Sequence, residues 1–416
     1  QVELPKGGSF EYKPEGSNET LQYTNPGGGD ATFSVDEKGK VSLDSEFVMS
    51  PGKESNISVS MNGSSTTIKT LATNQGDVSI DPVEGTITVQ KAGDKVTIDN
   101  TEYETTAENT VLKPNGQGGV ELESGGVKLN NGETVNVGDT IIKNTTGNTC
   151  EVSLGNKQVE VGTDENGSPI YTTVPVTNVD VPNGGGFALV DQNSGETIQF
   201  TNNSGQNAQY TIDENGALEV GDGKSVSFTQ NGKTTSIVAG DGGATIMPTG
   251  DGVQVNIPAG GSIVINGKEY TNSSDAADGE ELILVIDKNG VPILADGSID
   301  LTDGAFIQLP SGDKITANGD GVSVNANGSI GVPENAAVTI QPAGKAAGTY
   351  TAIDGEMKLQ YDPEVGIPTL ESGKASISKN ASLNIVTKTV DTTETDGDDT
   401  YEHNQYMTAQ RIKPGK

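Results

Sequence analysis

The chain repeats itself, and that repeat limits what it can fold into more than any other feature. Val2-Glu3-Leu4-Pro5-Lys6-Gly7-Gly8-Ser9-Phe10 returns as Val179-Asp180-Val181-Pro182-Asn183-Gly184-Gly185-Gly186-Phe187. Residues 2–39 align with 179–216 without a gap, at one offset of 177, and 16 of the 38 positions are identical. Many changes keep the chemistry: Leu21 becomes Ile198, Tyr23 becomes Phe200 and Phe33 becomes Tyr210. A chain made by internal duplication is read first as a repeat architecture.

The repeated passage is strand-like. Val-x-Leu and Val-x-Val runs alternate apolar and polar residues, the signature of a half-buried strand. Similar short runs fill the chain, among them Ile57-Ser58-Val59-Ser60-Met61, Thr86-Ile87-Thr88-Val89 and Val253-Gln254-Val255-Asn256-Ile257. Gly, Asn, Asp or Pro interrupts them roughly every 8–12 residues, as expected of an all-β chain. No segment of helical length carries a 3.6-residue period. The Pro-x-Gly-Gly passage recurs at Pro258 and, with Asp in place of the second Gly, at Pro310; looser forms start at Ile87, Val135 and Val338. Pro removes a ladder donor and Gly permits positive φ, so each copy predicts strand, corner, strand.

These starts divide the chain into units of about 80 residues, a period of the kind that marks repeat arrays. Residues 1–84 form the first unit and 85–176 the second. Residues 177–252 duplicate the first, 253–335 duplicate the second, and 336–390 are a partial fifth. Residues 391–416 read as a polar tail or linker. Only 31% of the residues are hydrophobic, 4% are aromatic and Trp is missing. Such a chain cannot fill a wide core, but it can stack Val, Ile and Leu in a narrow one. The expected fold is therefore an all-β, elongated repeat protein. A β-solenoid is favoured over a tandem string of Ig-like β-sandwiches.

Charge excludes several functions. Fifty-eight acids against 25 bases leave a net charge of −33. That repels phosphate backbones, so nucleic acid is not an expected partner. Anionic membrane surfaces are disfavoured on the same ground. No stretch of 18 apolar residues is present, so no transmembrane helix is expected. The chain opens at Gln1 without a leader, which fits a processed secreted protein or an excised fragment.

Candidate chemistry is sparse. His403 is the only histidine, which argues against a multi-histidine metal site or a His-centred triad within one chain. Cys150 shares parity with Val152 and Leu154 and is expected to point inward as a structural thiol. Calcium is the cofactor to consider. The turns at Asp164 and Asn166, Asp213 and Asn215, and Asp287 and Asn289 present oxygen ligands, although no EF-hand spacing accompanies them. Asn18, Asn56, Asn144 and Asn272 lie in Asn-x-Ser/Thr triplets, the acceptor pattern for glycosylation. Paired acids such as Asp36 with Glu37 recur as turn residues, not as a single catalytic pair. The expectation is that the chain is not an enzyme.

In texture, residues 1–390 resemble the repeat-rich secreted surface proteins of bacteria, of the adhesin-stalk and fibre type. The resemblance rests on Val-x-Val strands, Asp-x-Asn-Gly turns, acidity and scarce Cys, and it carries no functional residue over. It implies an extracellular or cell-surface structural or adhesive role. The implied partners are the chain itself, in an oligomer or filament, or a host or cell-surface glycan or protein. The alternative is a carbohydrate-binding or carbohydrate-active β-helix, for which Phe10, Tyr12, Tyr23 and Phe33 are the densest aromatic set. Phe10 and Tyr12 share a face, most simply the core.

Overall fold

The computed structural model describes residues 2–12, 21–24, 31–35, 41–43, 48–61, 64–74, 76–81, 84–116, 118–163, 168–192, 195, 197–250, 252–274, 279–379, 381–388, 395–396, 399–400 and 407–412. The fold is all-β, and no helix occurs among the described residues. The chain divides into two units. The first holds residues 1–219 with 226–228, and the second holds 220–225 with 229–416.

In the first unit the chain alternates between two sheets, usually laying down a hairpin in one and then a hairpin in the other. Lys95–Ile98 and Thr101–Thr105 form a hairpin that pairs back onto Ser64–Leu71 and forward onto Gly126–Leu129. Between them in sequence, Thr110–Pro114 and Val120–Ser124 form a hairpin in the other sheet. The second unit follows the same rule: Gly252–Ile257 pairs with Leu282–Asp287 in one sheet, and Ser262–Ile265 pairs with Lys268–Asn272 in the other. Each hairpin finds its partners close by in sequence, the neighbour-to-neighbour propagation that a repeat array requires.

Nearly all ladders are antiparallel. The parallel pairs are Val41↔Val59, Glu121↔Asn136, Ile293↔Gln308 and Thr369↔Asn384 with its neighbour Leu370↔Ile385. The cause is geometric. In each case one strand, not a hairpin, visits the opposite sheet: Val48–Ser50, Gly126–Leu129, Ser298–Leu301 or Ala375–Ile377. The chain then re-enters its sheet after two reversals in place of three, running in its former direction.

The corners repeat more finely than the 80-residue ruler. At Pro182-Asn183-Gly184-Gly185, the Gly185 N–H donates to the Pro182 carbonyl at 2.8 Å. Gly184, at φ +73°, donates to the Asn202 carbonyl, and Asn202 N–H returns a bond to Gly185. A side chain at Gly185 would place its Cβ 2.8 Å from the Pro182 oxygen, so Gly relieves the crowding at this corner, whereas Asp94, Glu133, Lys224, Ala305 and Ala336 hold the same position at others. The same turn bond and the same return bond from a strand end recur with Gly93, Gly132, Gly223, Gly260, Gly304 and Asn335 at the third position. From Gly93 to Asn335, successive corners are 31 (304 to 335) to 52 (132 to 184) residues apart, about half the 80-residue interval expected from the sequence.

Side chains alternate as a pleated strand demands. Lys95–Ile98 buries Val96 and Ile98, and Leu282–Asp287 buries Leu282, Leu284 and Ile286. The core is mostly Val, Ile and Leu, each contributing about 1.5–3 kcal/mol when fully covered. One aromatic cluster stands out in the first unit. Phe187 stacks on Phe200 at 5.5 Å between centroids, Tyr210 lies 5.8 Å from Phe187, and Phe228 meets Phe200 edge-on at 6.3 Å.

Candidate functional site

The one departure from the corner cadence builds the most distinctive surface. Cys150–Thr163 and Pro169–Val181 form a hairpin far longer than its neighbours. Its foot is held on both sides: Gly126–Leu129 pairs with residues 150–153, and Ala208–Ile212 pairs with residues 177–181. Beyond the foot the two strands pair only with each other among the described residues, through a bulge between Glu160 and Gly162. This arm exposes large apolar side chains, with Val161 at 61% and Tyr171 at 54%. Lys157 reaches Glu219 at 2.6 Å and braces the lower arm.

Beside the foot lies a cleft of about 690 Å³. Its floor is apolar: Leu122, Ile142, Val176 and Ile212 are all buried. Its rim carries Glu121, Glu123, Asp139, Asp191, Asp213 and Glu214, and among the described residues no basic side chain lines it. Four of those acids, Asp139, Asp191 and the adjacent Asp213 and Glu214, come from turns or strand ends that sequence spacing separates widely. The register brings them together, since Thr140 stands opposite Asp191. An apolar floor under one sign of charge attracts cationic groups and repels anions. Among the described residues no aromatic side chain lines the cleft.

Asp213 and Asn215, two of the candidate calcium residues, sit on this rim, but the turn itself occupies one carboxylate oxygen. Asp213 Oδ1 accepts the N–H of Asn215 and of Ala217, each at 2.9 Å. Asp287 does the same with Asn289 at 2.9 Å and Val291 at 2.8 Å. These are self-bonded Asx turns with Gly216 and Gly290 at positive φ, as a tight turn requires. Among the described residues no group of three or more His, Cys, Asp or Glu side chains is placed to hold a metal. Asp164, Asn166 and His403 lie outside the described residues.

Sequence reasoning missed a set of buried asparagines. Asn202 donates from Nδ2 to the carbonyls of Val181 (2.8 Å) and Gln206 (2.9 Å), while its Oδ1 accepts Ser204 N–H at 3.0 Å. Asn144 makes the same three bonds to Leu129, Asn148 and Thr146, and Asn272 makes them to Ile257, Glu280 and Ser274. All three are buried strand ends at corners. All three, Asn144, Asn202 and Asn272, head Asn-x-Ser/Thr triplets, and their burial closes them to glycosylation in the folded chain. Asn56 is exposed, and Asn18 lies outside the described residues.

Cys150 points inward beside Val152, as its parity requires, and is almost fully buried. Burial and the neighbouring Glu133 and Glu151 carboxylates push its thiol up from 9.0 to about 12. Because the folded value lies above the unfolded one, this stabilisation is complete below pH 9 and is lost as pH rises from 9 toward 12, at about 1.4 kcal/mol per pH unit. Two outcomes are expected. A disulfide-exchange reagent leaves the native chain unmodified at pH 8 and labels one thiol per chain in denaturant. The midpoint of chemical unfolding falls above pH 9 and moves less in Cys150→Ala.

No family model matches the sequence, and no curated protein and no solved structure is significantly similar to it.

Proposed function

We propose that the protein is a non-enzymatic structural or adhesive element of the cell exterior, an extended β-repeat stalk or fibre component. The observation that carries this reading is the recurrence, through both units, of one corner with one set of backbone bonds. Repetition of a single stabilising device supports a role in building length, because chemistry needs only one site. The outward strand faces are rich in Thr, Ser, Asn and Gln and suit contact with glycans or proteins. The long hairpin, with its exposed Val161, Ile170 and Tyr171, is the contact surface this reading favours.

The carbohydrate-active alternative needs exposed aromatics over a groove. The counterparts of Phe10, Tyr23 and Phe33 in the second copy are Phe187, Phe200 and Tyr210, all buried, which favours the structural reading. Negative-stain microscopy of the isolated chain tests it. The expected result is an extended particle, together with a blank reducing-sugar assay. Compact globules, or sugar released from a polysaccharide panel, would sink it.

A further inference from the structure

We infer that the long hairpin is a self-docking arm: two copies of the chain join across a two-fold axis by pairing the outer edge of residues 156–160 antiparallel with itself. This rests on the structural reading above, which favours the arm as a contact surface, and names its partner and register.

The second unit supplies an internal control. Ser298–Leu301 meets Val322–Asn325 in the register that Gly126–Leu129 keeps with residues 150–153, with Leu301 facing Val322 as Leu129 faces Cys150. The next residue makes the same bond in both. Leu154 N–H donates to the Gly125 carbonyl at 2.8 Å, and Ala326 N–H donates to the Gly297 carbonyl at 3.0 Å. There the two part. In the second unit residues 326–328 turn straight back, and Val324 faces Ile330. In the first unit residues 154–177 come between, and Ser153 faces Asn178. The scaffold closes with a short turn at one place and carries an arm at the other, so the arm is an addition that the fold does not require.

The arm has one guarded edge and one open edge. Leu154 N–H points toward Gly125 and away from residues 169–181, so by strand alternation the N–H groups of Asn156, Gln158 and Glu160 point outward as well. Pro175 stands opposite Asn156, where an N–H would point outward from its own strand, and the proline interrupts that edge. Residues 156–160 contain no proline and are all exposed. Among the described residues their backbone pairs with nothing on the outer side, which leaves a template for strand addition.

Charge selects the occupant. The chain carries −33, yet residues 152–163 and 168–179 hold one base, Lys157, and one acid, Glu160. Two acidic copies can therefore meet on this neutral surface. The open stretch runs from Leu154, whose N–H is taken, to the bulge at Gly162, and its midpoint is Gln158. A two-fold axis through Gln158 sets Asn156 opposite Glu160, so each outward N–H meets an outward carbonyl. It also sets the Lys157 stem beside Val159, which is 37% exposed. Centring the axis on Lys157 or Glu160 would set like charges face to face, and centring it on Val159 would draw the bulge into the ladder. Ser153, at the foot, lies roughly 16 Å from the axis at about 3.3 Å per residue. That is about two Debye lengths at 0.15 M salt, so the arm also holds the acidic feet apart.

Sedimentation velocity of the full-length chain, over a range of concentrations at about 0.15 M and about 1 M salt, tests this. The expected result is a monomer–dimer equilibrium with more dimer at the higher salt, which screens the repulsion between copies. Gln158→Pro removes an N–H that makes no bond within the hairpin, so it is expected to lose the dimer and keep the thermal midpoint. Gln158→Cys is expected to give a disulfide-linked dimer on mild oxidation, since directly paired strand residues sit about 5.5 Å apart between Cα atoms, within disulfide reach. Thr173→Cys, opposite Gln158 on the guarded strand, is expected to stay monomeric under the same oxidation, and the native Cys150 is buried. A wild-type chain that is monomeric at both salts overturns the inference, as does a dimer that survives Gln158→Pro or a Thr173→Cys chain that crosslinks as readily as Gln158→Cys. If a monomeric chain still images as extended, only the docking fails; if it images as a compact globule, the structural reading fails with it.

Discussion

Phe200→Ala is expected to lower the stability of the first unit by about 3–5 kcal/mol, the usual cost of emptying a buried aromatic position. For a unit of about this size, roughly 2–4 °C is lost per kcal/mol, so the thermal midpoint should fall by roughly 10 °C. The magnitude follows from the packing. Phe200 is fully buried and contacts Phe187 and Phe228, while the narrow core has few other large side chains to close over the gap. The outward neighbour Gln199 provides the control, since it is exposed and on the other face of the same strand. Gln199→Ala should stay within about 0.5 kcal/mol of wild type. Differential scanning calorimetry checks both. If the two variants lose similar amounts, the aromatic cluster is not the core of this unit.

The all-β class and the inward parity of Cys150 were legible because each depends on local alternation. The Asp-x-Asn-Gly turns were legible for the same reason: the Oδ1 atoms of Asp213 and Asp287 accept from residues within four positions of themselves. The finer corner cadence was not. Reading it through Pro found Pro5, Pro182 and Pro258, misplaced Pro310, where the turn bond runs from Gly312 to Leu309, and passed over Pro333; the turn bond needs a residue tolerant of positive φ at the third position, and Pro at the first is optional. Lys91, Asn130, Gly221 and Thr302 open the same corner without it. The acidic cleft was hidden more deeply. Glu121, Asp139, Asp191 and Asp213 meet through the register of four separate elements, and no spacing along the chain encodes that meeting. The buried asparagines were missed because a polar residue type suggests the solvent face, although Asn202 shares its parity with the buried Ile198 and Phe200. Asn202 turns inward to satisfy the Val181 carbonyl, 21 residues earlier, and no local pattern announces a carbonyl in need of a donor.

The chemistry of that asparagine makes the second large effect specific. Asn202 is 0% exposed, and its amide gives two donors to two carbonyls and accepts from Ser204 N–H and from the Tyr210 hydroxyl at 3.1 Å. Asn202→Ala leaves the Val181 and Gln206 carbonyls without this donor, at about 1–3 kcal/mol for each group left unsatisfied. Asn202→Asp keeps the shape but replaces the NH2 group and its two donors with one oxygen aimed at two carbonyls. An ionised carboxylate there is repelled and desolvated, so its folded pKa must rise above the unfolded value near 3.9. With the folded value raised, stability is greatest below the unfolded pKa and falls as pH climbs through the folded one. Asn202→Asp should therefore lose more stability than Asn202→Ala at pH 7 and recover part of it as pH is lowered toward 5, whereas Asn202→Ala should show no such recovery relative to wild type. Because Asn202 and Phe200 share one strand and Tyr210 touches both of their networks, the double variant should cost less than the sum of the singles. Urea unfolding at pH 7 and pH 5 reads all of these, and a pH-independent gap between the Asp and wild-type chains would show that the amide is not held between those carbonyls.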